Sequence, residues 1–140
     1  MIVLDSNVLS ELMKPRPSSA VAAWVAQHPS AELFTTSITE AEMLYGIELL
    51  AKGRRRDALL AAAEALFAVD LAGHVIGFDG EAARAFALIA AHRRAVGKPI
   101  SHADAQIAAI ARARRAKLAT RNVADFADCG IDVLDPWSGP

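Results

Sequence analysis

Five short apolar runs punctuate the chain: Met1–Leu4, Leu33–Thr36, Val75–Phe78, Lys117–Thr120 and Ile131–Leu134. Each is too short for a stable helix, and each stops at polar or turn-forming residues. Longer stretches with helical signals lie between most of them. Strands that alternate with helices pair in parallel through crossover connections, so the pattern predicts an α/β fold with a mainly parallel sheet. The first run is apolar at every position, as expected of a strand covered on both faces.

The helices can be placed by their caps and stripes. Pro15, Pro17 and Ser18-Ser19 mark a loop and a helix start, followed by Val21, Trp24 and Val25 at helical spacing. Trp24 on that stripe is expected to pack in the core. Ser37-Ile38-Thr39-Glu40 fits a capping box, with Ser37 as N-cap. The helix it opens sets Ala41, Leu44, Tyr45, Glu48 and Leu49 on one side, and Gly53 ends the segment. Asp57 to Leu71 reads as a further helix. Asp79 caps another, running from about Glu81 to Val96, with Gly97 as its stop. Ser101 to Asp104 is a second capping-box match, opening a helix through about Arg115. Asn122 to Asp125 reads as a turn, and Trp137 to Pro140 as a peripheral tail.

A length of 140 residues fits one domain spanning 1–140. Much of the 54% hydrophobic content is alanine, which favours closely packed helices. No uninterrupted apolar run reaches the roughly 18 residues of a membrane span. The N-terminus meets Asp5 too early for a secretory signal. The single cysteine, Cys129, cannot staple the fold, and it reads as a semi-buried bystander. These features point to a cytoplasmic protein. The net charge of −1 does not announce a nucleic-acid partner. Basic residues cluster at Lys52 and Arg54–Arg56, at Arg93, Arg94 and Lys98, and at Arg112, Arg114, Arg115 and Lys117. All three groups fall near helix ends, where cations complement the terminal carbonyls.

The acids are more informative. Asp5 ends the first strand at its carboxyl edge, where ligands gather in open α/β sheets. Glu42 lies within the helix opened by Ser37, with the capping role already given to Glu40. Asp104 occupies the N3 position of its capping box, and a carboxylate there can cap and also bind a cation. Thr120-Arg121-Asn122 and Asp125 follow the fourth run, again at a sheet edge. Carboxylates converging on one crevice suit Mg²⁺ or Mn²⁺, which prefer oxygen ligands and retain water. His102 has no His or Cys partners at zinc spacing. Divalent ions lower the pKa of water and stabilise the oxygens of a phosphodiester displacement, so the set describes a metal-dependent nuclease.

Four motifs in order carry a family likeness. Leu4-Asp5-Ser6-Asn7-Val8 resembles the opening motif of PIN domains. Glu42-Met43-Leu44-Tyr45-Gly46 resembles their central segment. Ala103-Asp104 with Ile107-Ala108-Ala109 resembles the third, and Thr120-Arg121-Asn122 with Asp125-Phe126 the last. The ending Asp135-Pro136-Trp137 is similar to that of the VapC and FitB toxin branch. The resemblance implies a three-layer α/β/α sandwich, Mg²⁺ or Mn²⁺ at an acidic pocket and endoribonuclease activity. It implies the toxin half of a type II toxin–antitoxin pair, neutralised by a small antitoxin whose tail occupies a groove, with a homodimer or a dimer of such pairs. On this likeness Asp5 and Asp104 are direct metal ligands, and Glu42 binds through water or shares a second ion. Ser6 takes the small hydroxyl position beside the first acid, Asn7 braces the loop, Thr120 orients a water, and Arg121 contacts RNA phosphate or pairs with the acids. The family's fourth acid often falls two residues after the threonine; here that position is Asn122, which leaves Asn122 and Asp125 as alternatives. The same opening also resembles haloacid-dehalogenase-type phosphatases, but Asn7 replaces their second acid. A PIN fold that binds RNA or a partner with little catalysis is the other alternative.

Overall fold

The computed structural model describes residues 1–138. Its five strands are β1 (Ile2–Leu4), β2 (Leu33–Thr36), β3 (Val75–Ile76), β4 (Lys117–Ala119) and β5 (Val133–Leu134). They form one parallel sheet in the order β3-β2-β1-β4-β5. Six α-helices complete it: α1 (Ser6–Leu12), α2 (Ser19–Ala26), α3 (Ser37–Glu48), α4 (Arg54–Ala65), α5 (Gly80–Ala95) and α6 (His102–Ala113).

The three-layer sandwich follows from the alternation of side chains along the strands. In β1, Val3 packs with Ile89 of α5, Ile107 of α6 and Leu118 of β4 on one face. Ile2 and Leu4 point the other way, into a core with Val8 of α1, Val21 of α2, Ile47 of α3 and Ala63 of α4. The sheet is therefore covered by α5 and α6 on one side and by α1–α4 on the other. Alanine does different work in different helices. Ala82, Ala85, Ala108 and Ala111 are buried in the α5–α6 layer, where small side chains allow close helix approach. In α4 only Ala63 is fully buried, and Ala58, Ala61 and Ala65 are exposed.

Several local expectations need correction. The N-cap of α3 is Thr36, not Ser37: its hydroxyl accepts from the Thr39 amide at 3.0 Å. No loop separates β2 from α3, so the last strand residue itself caps the helix. The inward face of α3 is built on Thr39, Met43 and Ile47, while Ala41, Tyr45, Glu48 and Leu49 are exposed. Both sets are mostly apolar at helical spacing; the direction in which β2 delivers the chain decides between them. The helix expected over Asp57–Leu71 starts at Arg54 and continues as a π-helical stretch over Leu66–Asp70. Trp24 packs against the core as expected. Trp137 does not belong to a peripheral tail: it packs against the α1–α4 core, and Pro136 is buried. The rest of that expected tail, residues 139–140, lies outside the described residues. Cys129 is more buried than expected, at 1% exposure.

Candidate active site

The strand order creates a crevice. From β1 the sheet grows through β2 to β3; the chain then crosses to the other side of β1 to lay down β4 and β5. The carboxyl ends of β1 and β4 thus flank a topological switch point, where open α/β sheets bind ligands. Asp5 follows β1 directly and Thr120 follows β4 directly.

Asp5 is nearly buried, and both of its carboxylate oxygens are engaged. Oδ1 accepts from the Ser6 amide at 2.8 Å, which makes Asp5 the N-cap of α1. Oδ2 accepts from the Thr120 hydroxyl at 2.8 Å. That hydroxyl also accepts from Asn7 Nδ2 at 3.0 Å and from the Asn122 amide at 3.1 Å. A hydroxyl has one proton and two lone pairs. All three are occupied, so the polarity of the Thr120–Asp5 bond is fixed. Asn7 Oδ1 accepts from the Arg121 amide at 3.2 Å, and the Asn7 side chain thereby ties α1 to the loop after β4.

The other acids approach from separate elements. Glu42 is exposed on α3, at the rim of an apolar cleft of about 470 Å³ lined also by Ser6, Ser10, Met13, Met43 and Ile47. Asp104 is half-buried at the third residue of α6, where its amide donates to the N-cap Ser101 hydroxyl at 3.2 Å. Asp125 is exposed on a 3₁₀ turn, Val123–Phe126.

Burial and mutual repulsion act on these acids together. Burial pushes the Asp5 carboxyl above its usual range, the Thr120 hydroxyl and Ser6 amide pull it back, and the negative charge of Asp125 adds to the rise. Glu42 is raised by desolvation, then by the charges of Asp5 and Asp104. Asp104 is raised by desolvation, then by Asp5, with the Ser101 hydrogen bond opposing and Asp125 adding. No cation pairs with these acids: the ion pairs among the described residues are Lys14–Glu11 and Arg56–Glu48. The site therefore carries concentrated negative charge, offset at Asp104 by the more distant buried guanidinium of Arg93.

Such a donor set fits a hard cation. Its side-chain donors are oxygens, and several lie at the exposed rim. Among the described residues, no three Asp, Glu, His or Cys side chains are gathered tightly enough to enclose an ion alone. A cation here would complete its shell with water, as Mg²⁺ characteristically does.

Two neighbouring side chains escape simple sequence reading. Arg121 is exposed, with its guanidinium 5.1 Å from the centre of the Trp137 ring, within cation–π range. Arg93 is no helix-end surface charge. It is 6% exposed, and its guanidinium donates to the carbonyls of Lys98, Asp125 and Ala127. A signal was present: Ala82, Ala85, Ile89 and Arg93 follow one another at helical spacing on the buried face of α5.

The PIN-domain family model matches residues 2–130. The chain belongs to the PIN-domain family. This PIN domain is 39% identical over 137 residues to a VapC ribonuclease of Sinorhizobium fredii, covering 98% of each chain. It is 34% identical to Toxin FitB of Neisseria gonorrhoeae, covering 98% of this chain and 99% of that one. Its fold superposes with a TM-score of 0.90 on a chain from a FitAB structure bound to a DNA fragment, at 34% identity, covering 98% of this chain and 96% of that one. Among the described residues no helix is long and apolar enough to cross a membrane.

Proposed function

We propose that this PIN domain is a Mg²⁺- or Mn²⁺-dependent endoribonuclease that hydrolyses RNA phosphodiester bonds and serves as the toxic component of a type II toxin–antitoxin module in the cytoplasm. What supports this reading is that Glu42 and Asp104 both feel the charge of Asp5, with no salt-bridge partner for any of the three among the described residues. The names of the VapC and FitB relatives support the ribonuclease and toxin assignments.

In this reading Asp5 and Asp104 hold the cation directly. Glu42 reaches it through water or shares a second ion, and Asp125 adds charge as the fourth acid beside the neutral oxygen of Asn122. A divalent cation bound there would supply acidity to a water and positive charge to the phosphodiester oxygens. The remaining work belongs to the chain itself. The Thr120 hydroxyl fixes the Asp5 carboxylate in one orientation, and Asn7 fixes the loop that carries Arg121. Arg121 meets RNA phosphate, and Ser6 offers its hydroxyl at the mouth of the cleft beside Glu42. The proposed partner is a small cognate antitoxin whose apolar tail fills that cleft, on a toxin that forms a homodimer.

The test is cleavage of a mixed RNA pool by the purified, antitoxin-free protein with Mg²⁺, with Mn²⁺ and with EDTA, beside Asp5→Asn. Cleavage that needs the metal and disappears in the variant is expected. Equal cleavage by Asp5→Asn would overturn the assignment. Asn122, at the position of a family acid, favours a second reading: a PIN fold that binds RNA or a partner with little catalysis. Metal binding without cleavage of any RNA is the result that selects it.

A further inference from the structure

We propose that Arg93 is a positioning residue that holds the Asp125 turn in register with the loop leading into the Asp104 helix. The inference rests on reading Asp104 and Asp125 as acids of one metal site.

Burying a guanidinium is costly unless its donors are met, and a carboxylate partner is the common solution. Arg93 has none. Its partners are neutral backbone carbonyls from two separate segments. Nε donates to Lys98 O at 2.7 Å, in the connection between α5 and α6. Nη1 donates to Asp125 O at 2.8 Å and Ala127 O at 2.9 Å, in the turn after β4. Nη1 also lies 3.6 Å from the buried Cys129 Sγ. The first segment runs into Ser101 and the start of α6, which carries Asp104. The second carries Asp125 itself. One rigid, planar guanidinium fork therefore joins the loop that leads into α6 to the turn that carries Asp125.

The fork matters because the hydrogen bonds to Asn7 and Thr120 hold the start of this loop, at Arg121 and Asn122, rather than the main chain at Asp125. The Asp125 side chain is exposed, and Val123 and Ala124 beside it are exposed too. Phe126 anchors one side of the turn in the core, and the Arg93 guanidinium holds the main chain at Asp125 and again at Ala127. A lysine has the charge but not the fork, so its ammonium cannot reproduce the separate Nε and Nη1 directions. The cation is also near enough to Asp104 to oppose the rise in its pKa. Retaining the charge is thus necessary if geometry alone is to be tested.

The experiment is a Mn²⁺ titration of the metal-free full chain, read by the electron paramagnetic resonance signal of free Mn²⁺, with no RNA present. The variants are Arg93→Lys, Asp125→Asn and the double variant, with Arg94→Lys as an exposed control on the same helix. Arg93→Lys is expected to weaken Mn²⁺ binding about tenfold, the effect typical of a residue that orients a metal ligand. Asp125→Asn should weaken it similarly, and the double variant should lose no more than the weaker-binding single variant, because both act through one side chain. Multiplying losses, or Mn²⁺ binding unchanged in Arg93→Lys, would overturn the proposal while leaving the metal site intact. A wild-type chain that does not bind Mn²⁺ would overturn the underlying site reading as well. Circular dichroism establishes that each variant is folded; should Arg93→Lys fail to fold, Arg93→Gln goes through the same titration, where losing the charge alone would tighten Mn²⁺ binding, so weaker binding supports the proposal and equal or tighter binding overturns it.

Discussion

Replacing Thr120 by valine removes one hydroxyl at nearly constant volume and strips Asp5 of its only side-chain donor among the described residues. Thr120 is fully buried, so shape is not the main issue. Asp5 Oδ2 loses a hydrogen bond to a charged acceptor, worth about 1.5–3 kcal/mol. Asn7 Nδ2 and the Asn122 amide lose an acceptor, but both lie near solvent and can partly rehydrate, at a cost of about 0–1 kcal/mol together. The expected destabilisation is about 2–4 kcal/mol. Thr120→Ser keeps the hydroxyl and deletes a methyl group, at about 1 kcal/mol. The two variants also differ in pH dependence. Asp5 already has a folded-state pKa above its unfolded value, and the Thr120 bond is the largest effect holding it down. Without that bond the folded pKa rises further. A group with a raised folded pKa contributes stability below its unfolded pKa and loses it as pH rises through the folded pKa. The valine deficit should therefore be small near pH 4–5 and grow toward pH 8, whereas the serine deficit should stay flat. Urea unfolding in EDTA at several pH values measures both. A valine deficit no larger than the serine one, or one independent of pH, would refute the reasoning.

Metal-free Glu42→Gln/Asp104→Asn should melt a few degrees above wild type at pH 8 and by less at pH 5, because both acids have raised folded pKa values and their repulsion grows with ionisation; equal melting at both values in thermal scans would contradict this. Saturating Mn²⁺ should reverse the order at pH 8, since only wild type keeps the ligands. Glu42→Gln should lower RNA cleavage at least tenfold, whereas Glu40→Gln, which no longer holds a capping role, should cost under about 1 kcal/mol of stability and leave cleavage rates near wild type. Trp137→Ala removes the surface against which Arg121 rests, and should raise the KM for RNA several-fold with kcat little changed; a kcat loss at constant KM would point instead to disturbance of the acids.

The central architecture was legible because β1 and β4 lie at the middle of the sheet and need apolar side chains on both faces, which leaves compact runs bounded by polar stops. The same logic singled out Asp5, the first polar residue after β1, whereas Thr120 was read as the end of its run and drew notice by motif. The face of α3 was not legible. Ala41, Tyr45 and Leu49 compete with Thr39, Met43 and Ile47 as apolar stripes, and only tertiary packing chooses between them. Thr36 was hidden as a cap because it belongs to a strand, and strand membership and capping leave the same β-branched signature. Arg93 was misjudged because its neighbours Arg94 and Lys98 suggested a solvated cluster, although its spacing from Ala85 and Ile89 placed it inside. Glu42 stood out by motif, but its exposure at the cleft rim depends on the rotation of α3.

The bond between Thr120 and Asp5 joins residues 115 positions apart. A ribosome adds residues in order, so the first acid is made early and waits for almost the whole domain before its partner strand exists. β1 then inserts between β2 and β4, and the site closes only when β4 docks. Every shorter nascent chain lacks the Thr120 hydroxyl that orients Asp5, the Asn122 amide and the Asp125 turn. Assembly of the acidic centre is thereby deferred until synthesis is nearly finished, and premature termination before residue 120 yields fragments without a complete site.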